Sequence, residues 1–318
     1  MDFKCAVVGY GNMGRGHAKI LAGLSRLAAI CEIDKDKEIP YGVPRYESFD
    51  EMLEKESPDA VHICTPHYLH AEMIIKALSK NINVFCEKPL CIRKEDIDRI
   101  LEAERESKAY LGVCFQNRTN ASTAAMREWL KDKKLYRAEG AVRWYRDQAY
   151  YASGAWRGKW ATEGGGVLIN QSIHTFDLML NLCGYPREIC AEIKNVAHPY
   201  IEVEDTVSIS CRGDIPETFF ATTAAKEDEP VVVRAFTDKG NAEIRGNDFY
   251  ADGVKAELPA PREWLGKPCY GSGHSTLIPE FYECIRTGTP FPIDGVSAAK
   301  TMRAVLAAYE SKGEWIKL

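Results

Sequence analysis

The sequence predicts an α/β protein of two domains. A doubly wound parallel sheet comes first, and an α+β domain built on an open, mainly antiparallel sheet follows. Three observations carry this expectation. Short apolar runs alternate with amphipathic helical stretches from Phe3 to Phe115, the order that builds a parallel sheet with helices on both faces. A glycine turn, Gly9-x-Gly11-x-x-Gly14, joins the first strand to the first helix. Beyond about Asn120 strands follow one another across short turns, which implies antiparallel pairs. The boundaries are therefore residues 1–119 and 120–318, and a chain of 318 residues suits two domains.

Phe3–Gly9 reads as a short buried strand, the helix after it runs to about Leu24, and Leu27–Cys31 is a second strand ending at Glu32. Strand, glycine turn, helix, strand and acid is the order of a dinucleotide-binding Rossmann unit. Gly9 permits the tight turn, Gly11 lets backbone approach a pyrophosphate, and Gly14 lets the helix pack closely on the sheet. The helix start, from Asn12 and Met13 onward, offers amides and positive potential to phosphates. Glu32 suits the hydroxyls of an adenosine ribose and repels the extra phosphate of NADP, so NAD is the expected cofactor. Lys35 and Lys37 blunt that preference and leave NADP open.

Asp34 to Tyr46 holds two prolines and a glycine and leaves little room for a helix. Ser48-x-x-Glu51 is a capping box that opens a short helix. Asp59–Thr65 reads as a strand, Leu69–Lys80 as a helix and Asn83–Cys86 as a strand leading into Glu87-Lys88-Pro89. Arg93–Ser107 is a charged amphipathic helix, and Leu111–Phe115 is a further strand. Ligands of such sheets sit beyond the carboxyl ends of the strands. There stand Gly9–Gly14, Glu32, Thr65–His67, Glu87–Lys88 and Gln116–Arg118.

In the second domain a helix is expected at Ser122–Lys131, a strand at Tyr136–Tyr145, then a loop rich in tryptophan and glycine. Strands follow at Glu188–Val196, Thr206–Arg212, Thr218–Ala224, Val231–Thr237 and Asn241–Arg245, with a last helix at Val296–Ser311. Val207, Ile209 and Cys211 alternate with Ser208, Ser210 and Arg212, so one face of this sheet is buried. Its broad face is expected to pair subunits into a homodimer or homotetramer.

Between loop and strands lies Gly164–Asn181, GGGVLINQSIHTFDLMLN. Asn170, His174, Asp177 and Asn181 recur at helical spacing on one face of an otherwise apolar helix. A polar stripe on a buried helix needs partners, since an unmet buried polar group costs about 1–3 kcal/mol. The expected partners of Asn170 and His174 are a substrate and a lysine from the other domain. Asp177 and Asn181 are read as structural.

Net charge is −5, with 45% hydrophobic and 27% charged residues. No basic run marks a nucleic-acid or anionic-membrane surface, and no apolar run reaches the roughly 18 residues of a membrane helix. The first strand begins by residue 3, which leaves no room for a signal peptide. Eleven cysteines are scattered singly, with no CxxC pair, as in a reducing cytoplasm. His62, His67, His70 and Cys64 cluster in sequence, but strand, loop and helix start separate them, so no metal site is expected.

GYGNMG, TPHYLHAEMIIKAL, NVFCEKPL and GGGVLINQSIHTFDL, in this order, resemble the glucose–fructose oxidoreductase / inositol dehydrogenase family, Gfo/Idh/MocA. The likeness extends to the C-terminal VSAAKTMRAVLAAYES. It implies that Gly9, Gly11, Asn12, Met13 and Gly14 bind pyrophosphate and that Glu32 contacts the adenosine ribose. Thr65, Pro66 and His70 would line the cofactor cleft, with Glu87 and Lys88 at the nicotinamide ribose. Gln116 would lie near the nicotinamide, and Trp156 and Arg157 would approach the cofactor from the second domain. Substrate would meet Lys88, Asn170, His174 and Arg118. The Lys88–Pro89 bond is expected to be cis. The family commonly has Asp where this chain has Asn170. An amide takes no proton at neutral pH, so Asn170 orients substrate and the proton work falls to His174.

The expected activity is NAD(P)-dependent dehydrogenation of a sugar, sugar derivative or cyclitol. His174 takes the hydroxyl proton, kept neutral by its place near a helix N-terminus, while hydride leaves the same carbon. Lys88 stabilises the developing alkoxide. Two alternatives are a glycosidase that oxidises its sugar transiently, and a non-catalytic NAD-binding sensor. Retention of Lys88 and His174 argues against the sensor. Selectivity is expected in the loops Trp144–Trp160, Tyr200–Asp205 and Trp264–His274, where His274 either faces the cleft or caps a turn.

Overall fold

Cys5–Val8 form strand β1, and all four residues are buried. The computed structural model describes residues 3–260 and 271–318. After β1 come α1 (Asn12–Gly23), β2 (Leu27–Cys31), β3 (Arg45–Tyr46), α2 (Phe49–Glu56), β4 (Ala60–Ile63), α3 (His70–Ser79), β5 (Asn83–Cys86), α4 (Lys94–Glu106) and β6 (Leu111–Val113). The strands make a six-stranded sheet in the order β3-β2-β1-β4-β5-β6, and every pair is parallel. This is the doubly wound order of dinucleotide-binding domains, and it reverses direction between β1 and β4. Ser48 caps α2, its Oγ accepting from the Glu51 amide at 3.4 Å.

The next elements are α5 (Ala121–Leu130), β7 (Leu135–Arg143), α6 (Gln148–Ala152), a π-helical turn over Val167–Gln171 and α7 (Ile173–Cys183). Then come β8 (Glu188–Lys194), β9 (Thr206–Arg212), β10 (Pro216–Thr222), β11 (Val232–Thr237), β12 (Gly240–Arg245), β13 (Asp248–Ala251) and β14 (Val254–Lys255). The chain closes with α8 (Gly273–Thr287), α9 (Gly295–Ser311) and β15 (Ile316–Lys317). Nine strands form a second sheet, β14-β13-β12-β11-β7-β10-β9-β8-β15, in which β7 and β10 are parallel and all other neighbours antiparallel. Val207, Ile209 and Cys211 are buried on it, as their alternation predicts. Helix α7 covers that face closely. The Phe176 and Phe219 ring centroids are 5.0 Å apart, and a Cβ on Gly140 would stand 2.6 Å from Phe219 Cδ2 and 3.2 Å from Met179 Sδ.

The chain divides into two compact units, Met1–Cys114 with His274–Ala299, and Phe115–Gly273 with Lys300–Leu318. A single cut at residues 119 and 120 misses the return of 274–299 to the first unit. Packing explains the return: Phe281 and Phe291 fill the space over Gly112, where a Cβ would lie 2.8 Å from Phe281 Cδ2. Phe85 and Phe281 ring centroids are 5.2 Å apart, and Val113 N donates to Ile293 O at 2.9 Å. The helix expected across Gly164–Asn181 is also revised, into the π turn and α7 with a break at Ser172. No helix among the described residues is long and apolar enough to cross a membrane. Most of the Trp264–His274 loop, with Cys269, lies outside the described residues.

Glu217 on β10 is buried, and neither carboxyl oxygen has a hydrogen-bond partner among the described residues. Burial pushes its carboxyl up to about 8. The folded chain then keeps a proton that the unfolded chain has released, so this group's contribution to stability falls as pH rises between about 5 and 8. Within that window the slope approaches about 1.4 kcal/mol per pH unit. Glu217→Gln should remove that part of the slope in urea unfolding at pH 5.5 and 8. An unchanged slope would show that Glu217 is not the group responsible.

Candidate functional site

In the first unit, β1 ends at Val8 and the chain turns at Gly9, which has φ +85°. A Cβ there would lie 2.7 Å from the Cys64 carbonyl oxygen, and a Cβ on Gly14 would lie 1.8 Å from the Gly9 oxygen. These two glycines let loop and helix close on the sheet. At Gly11 nothing lies within 4 Å of where a Cβ would stand, so the backbone there is open. The first turn of α1 carries no acid and no side chain caps it. Its amides, unpaired within the helix, suit an anion.

Glu32 follows β2. Its Oε2 accepts from Tyr10 N and Lys37 Nζ, both at 2.8 Å, and its Oε1 accepts from Asp34 N at 2.9 Å. Burial works to raise its carboxyl, but the Lys37 ammonium and the Asp34 and Tyr10 amides outweigh it, and the net shift is downward. Lys37 thus pairs with the acid itself.

At the carboxyl ends of β4 and β5 the loops are pinned by His70, which is fully buried. Its Nδ1 lies 2.7 Å from Pro89 O and its Nε2 lies 2.9 Å from Thr65 O. His70 therefore ties together the segments carrying Thr65–Pro66 and Lys88–Pro89. The Lys88–Pro89 bond is cis, as expected. Glu87 is buried; its Oε1 lies 3.0 Å from His17 Nε2 and 3.4 Å from His274 Nε2, and its Oε2 accepts from Lys88 N at 3.3 Å. Burial would raise this carboxyl, yet the hydrogen bonds from His17 and His274 hold it well below the usual range. His274 thus belongs to the first unit's interior, neither in a loop nor at a turn. By distance alone His17, Glu87, Cys114 and His274 could hold a metal ion, their ligand-type atoms lying within 4.8 Å of one another. The histidines adjacent in sequence form no such group: His62 bonds to His17 and Tyr282, while His70 bonds to carbonyls.

In the second unit the glycine run packs against protein. A Cβ on Gly165 would stand 2.1 Å from the Tyr309 hydroxyl, and one on Gly166 would stand 1.9 Å from the Glu204 oxygen. Glu204 caps the π turn, accepting from Gly166 N at 2.9 Å, Leu168 N at 3.0 Å and Tyr309 Oη at 2.8 Å. From Glu163 to Leu180 every residue is buried except His174, the second residue of α7. Asn170 lies on the π turn, and its Nδ2 donates to the buried Glu163. Asp177 takes the Arg118 guanidinium in a two-pronged pair, Nε to Oδ2 at 2.8 Å and Nη2 to Oδ1 at 2.6 Å, and also accepts from Thr301 Oγ1 at 2.6 Å. Asn181 accepts from Arg127.

Arg118, expected to touch substrate, is thus buried against Asp177, where it anchors α7. Gln116 is buried with its carbonyl against Gly273, where a Cβ would come within 2.2 Å. Arg157 stacks 4.5 Å above the Trp156 ring and donates to Tyr150 Oη at 2.8 Å. Sequence reasoning missed Glu163 and His17, weighed His62 only as a metal ligand and took Glu204 only as part of the Tyr200–Asp205 loop. The acid seven residues before Asn170 was the one available signal for Glu163.

The oxidoreductase-family pattern with NAD-binding Rossmann fold, GFO/IDH/MocA, matches residues 3–115, and the GFO/IDH/MocA C-terminal domain matches residues 123–243. The scyllo-inositol 2-dehydrogenase (NAD(+)) of Bacillus subtilis is 29% identical over 202 residues, 61% of this chain and 56% of that enzyme. The myo-inositol 2-dehydrogenase of Thermotoga maritima is 26% identical over 188 residues, 57% of this chain and 55% of that enzyme. These matches span little more than half of each enzyme. Over the whole of this chain and 99% of the other, the structure resembles the WlbA dehydrogenase of Bordetella pertussis in complex with NADH and UDP-GlcNAcA, with TM-score 0.88 and 26% identity.

Asp177→Ala should cost about 3–5 kcal/mol of stability, because it strands a buried guanidinium. A loss under 1 kcal/mol in urea unfolding would contradict the anchoring role. Glu32→Ala should shift the ratio of NADH to NADPH affinity toward NADPH. The change removes the repelling acid and frees Lys37; an unchanged ratio in fluorescence titrations would move Glu32 out of the ribose site.

Proposed function

We propose that this chain, which belongs to the GFO/IDH/MocA oxidoreductase family, is an NAD-dependent dehydrogenase of a sugar, sugar derivative or cyclitol. The open backbone at Gly11, the uncapped start of α1 and Glu32 suit NAD. Bound NAD⁺ supplies the acceptor for the hydride that leaves the hydroxyl-bearing carbon. The names of the inositol dehydrogenases that the chain resembles support the substrate class.

The partial exposure of His174 carries the assignment of the base. In a segment otherwise buried from Glu163 to Leu180, one imidazole is only partly buried, at the start of α7. His174 takes the hydroxyl proton, and the electron pair left on oxygen becomes the carbonyl bond as hydride departs. The Lys88 ammonium stabilises the oxygen as charge gathers on it. Asn170 takes no proton; with its amide nitrogen on Glu163, it orients substrate.

The test is pure protein with NAD⁺ and a panel of sugars, cyclitols and aryl glycosides. NADH should accumulate with a polyol or sugar. Aglycone release without NADH would indicate the glycosidase chemistry, and silence across the panel with NAD bound would indicate a sensor. Lys88→Ala and His174→Ala should each lower turnover by about 10²–10⁴ while NADH still binds. Near-normal turnover in either would remove that residue from the mechanism.

A further inference from the structure

Next to Glu87 runs a string of buried polar side chains that the proposed chemistry does not use. Tyr282 Oη lies 2.7 Å from His62 Nε2, His62 Nδ1 lies 2.8 Å from His17 Nδ1, and His17 Nε2 lies 3.0 Å from Glu87 Oε1. None of the four is more than 5% exposed. Burial pushes the His17 imidazole down and that of His62 well down. A neutral imidazole has one donor and one acceptor nitrogen. Two neutral rings beside a carboxylate leave one proton assignment that satisfies all three contacts. Glu87 accepts, so His17 carries its proton on Nε2. His17 Nδ1 then accepts, so His62 carries its proton on Nδ1. His62 Nε2 accepts in turn, and Tyr282 donates.

We propose that Tyr282, His62 and His17 are positioning residues: a one-way hydrogen-bond chain that fixes the Glu87 carboxylate and, through it, the Lys88 peptide. The functional part of this inference rests on Lys88 being catalytic, as proposed above. Glu87 is tied at Oε1 to the chain and at Oε2 to the Lys88 amide. Donors in series polarise one another, and the last bond is charge-assisted. The groups facing Glu87 are His17 from α1, His274 from α8, the thiols of Cys64 after β4, Cys86 at the end of β5 and Cys114 after β6, and Lys88. Burial pushes all three thiols well up, so they bring no charge at neutral pH. Without the chain's donor, only His274 and the Lys88 amide oppose burial, so the Glu87 carboxyl rises and takes up a proton at a higher pH than in the native protein. The structure therefore links the core residue Tyr282 to the peptide that carries Lys88.

The test uses the full chain and two readouts. In ¹⁵N-labelled protein, long-range ¹H–¹⁵N spectra at pH 8 should show His17 neutral with its proton on Nε2 and His62 neutral with its proton on Nδ1. A doubly protonated His17, or the opposite tautomers, would overturn the chain. Second, His17→Gln keeps an amide donor near the Nε2 position, while His17→Met fills the same space without one. NADH affinity, and kcat/KM with the most active polyol, are compared with the native protein from pH 5 to 9. The ratio for His17→Met should fall as pH drops from 8 toward 5, to about half where the raised Glu87 carboxyl is half protonated and about tenfold for each further unit below that pH. The ratio for His17→Gln should stay flat. Tyr282→Phe, away from the carboxylate, should shift in the same direction by a smaller factor, and it carries the test if His17→Met does not fold. A pH-independent loss, or identical Gln and Met profiles, would reduce the chain to packing. If no polyol is oxidised, the dehydrogenase reading fails by itself. The tautomers and the pH dependence of NADH binding still decide the chain.

Discussion

Polar groups withdrawn from water cost about 1–3 kcal/mol each when unmet, and meeting them organises both units. In the second unit, Glu163 to Leu180 is buried at every residue but His174. Asn170 is met by Glu163, Asp177 by Arg118 and Thr301, and the π-turn amides by Glu204. Each pairing fixes a piece of backbone around the partly buried His174 imidazole. In the first unit the same requirement acts on Glu87, whose oxygens are taken by His17, His274 and the Lys88 amide. The segments that carry the proposed catalytic lysine and histidine are thus each held by these pairings.

What could be read from the sequence was what depends on neighbours in the chain. The Gly9–Gly14 turn, the Ser48 cap and the β9 alternation are local patterns, and each stands where expected. The Lys88–Pro89 cis bond travelled with its motif. Other features depend on residues brought from far along the chain. Gly165 and Gly166 are small because Tyr309 and Glu204 press against them. The helical stripe looked continuous from Asn170 to Asn181, but the turn at Val167–Gln171 winds as a π helix around the Glu204 carboxylate. The return of 274–299 to the first unit rests on Phe281 and Phe291 finding Gly112, and no periodicity announces that. His274 was ambiguous for the same reason.

Electrostatics at Glu32 shows how the same residues bear on cofactor choice. The acid is positioned by three donors, and one of them, Lys37, is the basic residue that could have welcomed a 2′-phosphate. Pairing Lys37 with Glu32 keeps the acid ionised and removes the free cation, and both effects favour NAD.

Direct transfer of hydride from a substrate carbon is the central claim, and an isotope reports it most directly. Polyols deuterated at carbon, myo-inositol first, are incubated with the protein and NAD⁺, and the reduced cofactor is weighed by mass spectrometry. The account predicts one deuterium per NADH formed. Unlabelled NADH, or none with the folded protein binding NAD, would contradict it.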